Sequence, residues 1–429
     1  MNIQEAIMKS MIFRMVLGVI MIWLLLGFSL NMKSEAAEPP ILVGAPGSYA
    51  AQPWAWAAIR GQELAVKEIN AAGGVKVGNV KRPFKLETID TRDEEPGVPV
   101  SEALLGIEKL ILEKKVNVLC GGPTMSEASL AVIDLVAKHN IVDLRAGGTW
   151  TPSWPKKVGG NIEKYRTSFK ITQSVAYVIP EGTELLDHIK NKHGFNTVYL
   201  LTQDNLISRN AGELFSKLAV QKGWKLVGSD IVPQGTTDYS PQLLKCRSLG
   251  AKVLMVWTND PTAIILMKQF TDMKVPALMI GFMPASTEAE VWKEVSGKCQ
   301  YVMGPLGYAV STSTKLPGAV KFQKAYKESC GKEPFGGAPE GYIGMYVLKD
   351  AIERAGSLDT NALIAALEKT DYMSVNGRVK FDKNHTAIYS SNPAEGMVSN
   401  WFQWYGGKRV TVWPLSVADA EVQIPALMK

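Results

Sequence analysis

The sequence predicts an α/β protein built as two doubly wound parallel-sheet lobes, and three observations lead there. The run Ile41–Val75 reads as a strand, a small-residue loop and a helix. Strand and helix signals then alternate along almost all of the remaining chain, the order that builds a parallel sheet. The alternation restarts near Tyr165, and two such sets are too many for one ordinary sheet.

Each element follows from local pattern. Ile41, Leu42 and Val43 enter the loop Gly44–Gly47, and the helix Gly61–Asn70 is stopped by Ala71-Ala72-Gly73-Gly74. Ala65, Ile69 and Ala72 share one helical stripe while Glu63, Lys67 and Asn70 face elsewhere. The paired glycines supply the positive φ that a helix C-terminus favours. The strand Phe84–Asp90, the helix Val100–Lys114, the strand Val116–Cys120, the helix Glu127–His139 and the strand Ile141–Leu144 complete the first set. Tyr165–Lys170 reads as an extended crossover. The second set comprises helices at Thr183–His193, Ala211–Lys222, Ser240–Leu249 and Pro261–Met273 with strands at Thr197–Thr202, Trp224–Val232, Val253–Thr258 and Leu278–Gly281. Helices at Gly318–Gly331, Gly341–Ala355 and Leu363–Lys369 precede the strand-rich Arg378–Phe381, Met397–Trp404 and Val410–Pro414.

Composition narrows the class. Lys9 and Arg14, the apolar stretch Val16–Phe28 and the small residues Ser34-Glu35-Ala36-Ala37 have the order of a cleaved secretory signal peptide, with cleavage after Ala36 or Ala37. The other reading is a membrane anchor, since Ile12–Leu30 is nearly long enough to span. The expected mature protein is exported, and with its first cysteine at Cys120 it offers no cysteine for an N-terminal lipid anchor. The net charge of +6 is spread without a basic run, which argues against nucleic acid as a partner. Cys120, Cys246, Cys299 and Cys330 could pair in three ways, with Cys299–Cys330 favoured because both read as loop-adjacent; buried thiols are the alternative for Cys120 and Cys246. The four histidines are scattered and there is no CxxC, so no metal, cofactor or redox chemistry is expected.

The string GQELAVKEINAAGGV at residues 61–75 resembles the first helix of the periplasmic solute-binding proteins of branched-chain amino acid type (Leu/Ile/Val-binding) ABC transporters. So do Thr237–Ser240, Leu348–Ser357, Gly377–Asp382 and Lys408–Pro414, in the same order and spacing. The resemblance implies the type I periplasmic binding fold, whose hinge is crossed three times. Carried over, residues 38–166 with 304–376 form one lobe and 167–303 with 377–429 the other.

Ligands of open α/β sheets bind outside the carboxyl ends of the strands. Three loops there carry the groups of interest. The first holds Trp54, where the resemblance implies an aromatic cover over the ligand, and Trp56; packing into their own lobe is the plainer reading. The second, Gly122–Ser126, combines hydroxyls with N–H groups at a helix N-terminus, a natural carboxylate cradle. Ser126 matches the family's carboxylate-holding position, or it is simply a helix cap. The third, Arg145–Pro152, offers Gly147 and Gly148 for close backbone approach, and Thr149 and Gly147 match the family's second set of contacts. Arg145 could pair with a carboxylate or form a salt bridge; Trp150 is a wall or core. In the second lobe the family's positions fall on Ile207, Asn259 and Met283. Met283 stands where the resemblance implies an acid that meets an amino acid's ammonium, so with Trp54 it favours a hydrophobic or aromatic carboxylate over an ordinary amino acid, unless Asp204 or Asp260 takes that role.

The implied protein is the extracytoplasmic, monomeric solute-binding component of an ABC importer. It would capture a small carboxylate (hydrophobic, aromatic, or an amino acid) between closing lobes and deliver it to an inner-membrane permease. A subunit that senses ligand and docks on a signalling receptor is the alternative. An enzyme on the same fold finds no support, because GxSxG, P-loop and HExxH motifs are absent from the sequence.

Overall fold

The computed structural model describes residues 4, 7–9, 11–15, 38–50, 53–95, 97–148, 150–306 and 312–429, with backbone only at Pro53 and Trp54. The apolar stretch and cleavage site expected of a signal peptide lie outside the described residues. Residues 1–39 and 40–429 are separate units, and both large sheets belong to the second.

The first sheet contains β1 (Ile41–Gly47), which is followed by α1 (Pro53–Ala71) and a small hairpin of β2 (Val75–Val77) and β3 (Val80–Arg82). Next come β4 (Phe84–Asp90), α2 (Val100–Leu112), β5 (Val118–Cys120), α3 (Ser126–Lys138), β6 (Asp143–Arg145), the short α4 (Ser153–Gly160) and α5 (Ile162–Tyr165), and β7 (Ser168–Lys170). The strand order is β4-β1-β5-β6-β7, parallel throughout. Gly44–Gly47, read as a loop, is the second half of β1 and pairs with Glu87–Asp90.

The segment expected to be a loop at Trp54 and Trp56 is the first turn of α1. Proline is pre-organised for the first helical position, and Ala55, Ala57, Ala58 and Ile59 give that turn a buried face.

The second set runs α6 (Val175–His193), β8 (Thr197–Gln203), α7 (Leu206–Gln221), β9 (Lys225–Val232), α8 (Ser240–Ser248), β10 (Val253–Trp257), α9 (Ala263–Asp272), β11 (Leu278–Phe282), α10 (Val291–Glu294) and β12 (Met303–Pro305). The chain then forms α11 (Pro317–Cys330), α12 (Ala338–Ala355), α13 (Thr360–Glu368), the hairpin β13 (Tyr372–Ser374) and β14 (Gly377–Val379), and finally β15 (Trp401–Tyr405) and β16 (Lys408–Trp413). The order is β16-β15-β12-β11-β10-β8-β9. The five strands β9, β8, β10, β11 and β12 are parallel, and β15 and β16 add an antiparallel edge.

Alternation explains how this second sheet is buried on both faces. Val198, Leu200, Val253, Met255, Trp257, Leu278, Ile280 and Phe282 pack into one apolar cluster; Tyr199, Leu201, Leu254, Val256, Met279 and Met283 pack into the opposite one. Successive side chains of a strand point to opposite faces, so this split follows from the two-residue period.

The returning chain completes the first sheet's core. Ile343, Met345, Val347 and Leu348 of α12 join Ile41, Val43, Val118 and Leu144. Val379, Ala387, Tyr389 and Met397 are in the same cluster, so the chain stays against the first sheet beyond Gly377, where its last crossing was expected. Helices α1 and α12 touch backbone to backbone. A Cβ on Gly61 would stand 1.9 Å from the Ala338 carbonyl oxygen, and one on Gly341 would stand 2.1 Å from that of Ala58. Only glycine permits this approach, which draws the first turn of α12 down beside the ends of the first sheet.

The four cysteines are free thiols, against the expected Cys299–Cys330 pair. Cys299 is buried in one cluster of the second sheet, whereas Cys330 packs beside a separate cluster of α11 and α1. Burial pushes the thiols of Cys120, Cys246 and Cys299 up to about 12. Among the described residues no helix is long and apolar enough to cross a membrane.

Candidate functional site

A cleft of about 560 Å³ opens at the carboxyl ends of both sheets. Its walls come from the loop after β4, the N-terminus of α3, the loop after β6, the N-terminus of α7, the loops after β10 and β11, and the first turn of α12.

Of the residues singled out in the sequence, Ser126, Gly148, Trp150, Ile207 and Asn259 line this cleft. Ser126 is the first residue of α3, and the capping position falls on Met125, which makes no side-chain cap. Just before the helix, Asp93 Oδ2 accepts the N–H groups of Thr124 at 2.7 Å and Met125 at 2.6 Å. Two of the N–H groups expected to cradle a ligand carboxylate therefore already hold an internal one. This is favourable because a helix N-terminus carries partial positive charge.

Trp150 has two surroundings. It lines the cleft, and it is only 3% exposed, packed in the second sheet's cluster against Phe282 with ring centroids 4.6 Å apart. Phe282 in turn stacks on Trp257 at 5.9 Å. Because the Trp150 loop follows β6 of the first sheet, this aromatic contact ties one set of strand ends to the other. Trp150 is thus both wall and core.

Ile207 stands in the first turn of α7, capped by Asn205, whose Oδ1 accepts from Ser208 N at 2.8 Å. Asn205 Nδ2 donates to Asn259 Oδ1 at 3.0 Å and to Gln203 Oε1 at 2.9 Å. Gln203 Oε1 also accepts from Thr258 Oγ1 and Asn259 N, both at 3.1 Å. This polar wall is satisfied within itself.

The other expected residues are placed differently. Arg145 is fully buried and its Nη2 donates to Asp143 Oδ2 at 2.7 Å, so it makes a salt bridge and is not presented to the cleft. Residues i and i+2 of a strand share a face, and the Asp143-Leu144-Arg145 spacing was the signal for this pair. Gly122 makes room for the guanidinium, since a Cβ there would lie 1.5 Å from Arg145 Nη1. Met283 is 1% exposed on the face of β11 opposite Phe282, so period-two alternation turns it into the core and leaves Phe282 and Pro284 on the wall. Gly147 lies in a small adjoining recess with its N–H donated to Thr172 Oγ1 at 2.8 Å. Trp56 is 46% exposed, beside Tyr49 and with the Arg60 guanidinium 5.4 Å from its ring centroid. The side chain of Trp54 and the whole of Thr149 lie outside the described residues.

Neither alternative acid faces the cleft. Asp204 pairs with Arg209. Asp260 accepts from Gln203 Nε2 at 3.3 Å, Thr262 N at 2.9 Å and Gly235 N. Acids that do line the cleft are Asp93, Glu94, Glu95, Glu127 and Glu340, against Arg209 as a cationic side chain. Glu95 is held by Arg92 at 2.7 Å.

Glu340 differs from the rim acids, and sequence reasoning missed it. It is 1% exposed in the first turn of α12, and Thr172 Oγ1 donates to its Oε2 at 3.1 Å. Burial raises its carboxyl to about 8, an effect that exceeds the opposing pull of Thr172 and of Lys170. Lys170, itself buried, is lowered to about 7 by desolvation and donates to Gln173 O at 3.2 Å.

The cleft therefore has apolar walls, an acidic rim and one deeply buried carboxyl, an arrangement suited to enclosing a small amphipathic solute. Among the described residues no group of three His, Cys, Asp or Glu side chains could hold a metal ion.

The comparisons with known proteins agree with this architecture. The chain is 23% identical over 388 residues to Leu/Ile/Val-binding protein homolog 7 of Brucella abortus, covering 85% of this chain and 89% of that protein. The structure of the substrate-binding protein LivJ of a branched-chain amino acid transporter from Streptococcus pneumoniae, in complex with isoleucine, superposes with a TM-score of 0.70. It is 20% identical and covers 90% of this chain and 100% of that one. An ABC transporter solute-binding protein from R. palustris in complex with benzoate superposes with a TM-score of 0.68 at 17% identity, covering 90% and 98%. The sequence pattern of the family described as periplasmic binding protein matches residues 41–395, and the chain belongs to that family.

Proposed function

We propose that this protein is the extracytoplasmic solute-binding component of an ABC importer, and that its ligand is an amino acid with an apolar side chain. The observation that carries this reading is the cleft itself: about 560 Å³, walled by the strand ends of both sheets, apolar at Trp150, Phe282 and Ile207, and acidic at its rim. A volume of that size fits a solute of amino-acid dimensions. The ligand's side chain packs on the aromatic wall, its carboxylate faces Ser126 and Gly148, and its ammonium faces the acids. Closure of one lobe on the other stabilises the shape that the permease reads, and no bond in the ligand changes. Residues 1–37 direct export to the periplasm and are removed. The two lobes are built on the two large sheets, the first keeping β7 and the returning chain as far as Met397, and the protein works as a monomer.

Two relatives support the class of ligand, since one is named for leucine, isoleucine and valine and another holds isoleucine. A second reading, an aromatic carboxylate without an amino group, is favoured by the stacked Trp150–Phe282–Trp257 wall and by the relative that holds benzoate. The sequence alone leans towards that reading, because Met283 offers no acid. In its place the cleft offers other carboxyls for an ammonium, Asp93, Glu94, Glu95, Glu127 and Glu340.

The test is a thermal-shift screen of residues 38–429, stripped of carried ligand by unfolding and refolding. Amino acids are run beside their deaminated counterparts and benzoate. A ligand at 100 times its Kd adds about 2.7 kcal/mol to the folded state. Stabilisation by an apolar amino acid is the expected result. Stabilisation by deaminated acids alone favours the second reading, and no stabilisation by any of them defeats both.

A further inference from the structure

Among the described acids of the cleft, Glu340 alone is a buried carboxyl with an oxygen that lacks a hydrogen-bond partner. Its Oε2 accepts from Thr172, whereas Oε1 is buried and unpaired. A buried polar atom left without a partner forfeits its hydration and needs a reason.

The hydrogen-bond chain fixes which oxygen is open. Gly147 N–H donates to Thr172 Oγ1 at 2.8 Å, and the single hydroxyl hydrogen of Thr172 goes on to Glu340 Oε2 at 3.1 Å. Oε2 is therefore an acceptor, and a proton held by this carboxyl sits on Oε1. The same two bonds set Glu340 beside the Gly147-Gly148 backbone that borders the cleft.

Charge then decides what that group is. The groups facing Glu340 are Lys170 on β7, Arg145 beyond it paired to Asp143 on β6, and the buried phenol of Tyr389, which donates to Ile171 O at 2.8 Å. The neighbouring turn of α1 presents Ala58 and Gln62, and β5 presents the neutral Cys120 thiol. The cationic side chain on the cleft wall, Arg209, is paired with Asp204. An anionic head group at Oε1 would add charge to a wall rich in carboxyls. A cationic one would let Glu340 ionise as a neutral ion pair, which is the way a buried carboxylate is tolerated.

We propose that Glu340 is the residue that selects amine-bearing ligands: its Oε1 gives up a proton on binding and accepts the ligand's ammonium. The proposal rests on the amino-acid reading of the cleft and assigns the ammonium contact to the first turn of α12 at the junction of the sheets, not to the loop after β11. Binding then releases a proton from the protein at neutral pH. Release falls away as the pH rises past about 8, where the carboxyl is already ionised. Burial drives this, because the free carboxyl is neutral only through desolvation.

The experiment is isothermal titration of residues 38–429 with L-leucine, L-isoleucine and L-phenylalanine and with their deaminated counterparts, in two buffers of different ionisation enthalpy at pH 7 and pH 9. It is repeated on Glu340→Gln, with circular dichroism and the unliganded melting temperature confirming that the variant folds. In addition, the infrared band of a protonated carboxyl is followed on adding the amino acid. The expected result is release of most of a proton at pH 7 and little at pH 9, loss of that band in the wild type, and amino-acid affinity lower by on the order of 100-fold in Glu340→Gln. A folded Glu340→Gln protein that keeps its amino-acid affinity, or binding without proton release, overturns the proposal while leaving the solute-binding reading intact. Binding of the deaminated acids alone overturns it too and supports the second ligand class. Binding of no compound overturns both.

Discussion

Trp150→Ala is the substitution with the most to say about how the two sets of strand ends are held together. Trp150 is 3% exposed, its ring is 4.6 Å from that of Phe282, and its carbonyl accepts from Val175 N at 2.9 Å at the start of α6. Truncating a buried Trp typically costs about 3–5 kcal/mol, of which about 0.5–1.5 belongs to the aromatic pair. The new space opens onto the cleft, so water fills part of it and the cost falls near the lower figure, about 3 kcal/mol. The backbone bond to Val175 survives the truncation. Urea unfolding of residues 38–429 without ligand measures this directly, and Trp150→Phe should recover more than half of it. Affinity for the ligand should fall as well, because the same ring walls the cleft. A loss of less than about 1 kcal/mol in Trp150→Ala would refute the claim that this side chain is core as well as wall.

Three further outcomes follow from single features. Asp93→Ala removes the acceptor of the Thr124 and Met125 N–H groups, so melting should report a loss of about 2–4 kcal/mol, whereas Asp93→Asn should recover part of it. Burial raises both Glu181 and Glu340 to about 8, so the folded state holds protons that the unfolded chain has lost above its ordinary carboxyl range; stability of the unliganded protein should fall between about pH 5 and pH 7, with a slope of about 1.4 kcal/mol per pH unit for each group, and Glu340→Gln should remove one share. Lys170, lowered to about 7, acts in the opposite sense above that pH, because the unfolded chain there binds the extra proton, so the pH–stability curve should flatten or rise beyond it. A thiol reagent under denaturing conditions without reductant should count four thiols, and in the native protein half-buried Cys330 should react well before the other three; a count of two would restore a disulfide.

The fold was legible because it rests on periodicity. Strands such as Val253–Trp257 and helices such as Pro317–Cys330 lie within a residue or two of where apolar spacing and glycine stops set them. Errors occurred where tertiary contact overrides local signal. Tyr49–Trp56 reads as a small-residue loop, yet from Pro53 onward packing of the alanines makes it helical. In the site, Gly148 was reached from the end of a parallel strand, whereas Ile207 and Asn259 were reached only through the family resemblance; all three line the cleft. Met283 could not be placed: Phe282 and Met283 are adjacent, and which of them faces the cleft depends on where β11 ends. Glu340 was illegible for a stronger reason. In the string Ala338-Pro339-Glu340-Gly341 it looks like an ordinary first-turn acid facing water. Its burial depends on the glycine contact between α1 and α12 and on Thr172, which lies 168 residues earlier in the chain.

The most direct test is a crystal structure of residues 38–429 with the amino acid that most stabilises the protein in the thermal screen. The ligand is expected in the cleft between the strand ends, its apolar side chain against Trp150 and Phe282, and its nitrogen about 3 Å from Glu340 Oε1. A ligand seated elsewhere, or one in the cleft whose nitrogen points to solvent with Glu340 still unpaired, would contradict this placement.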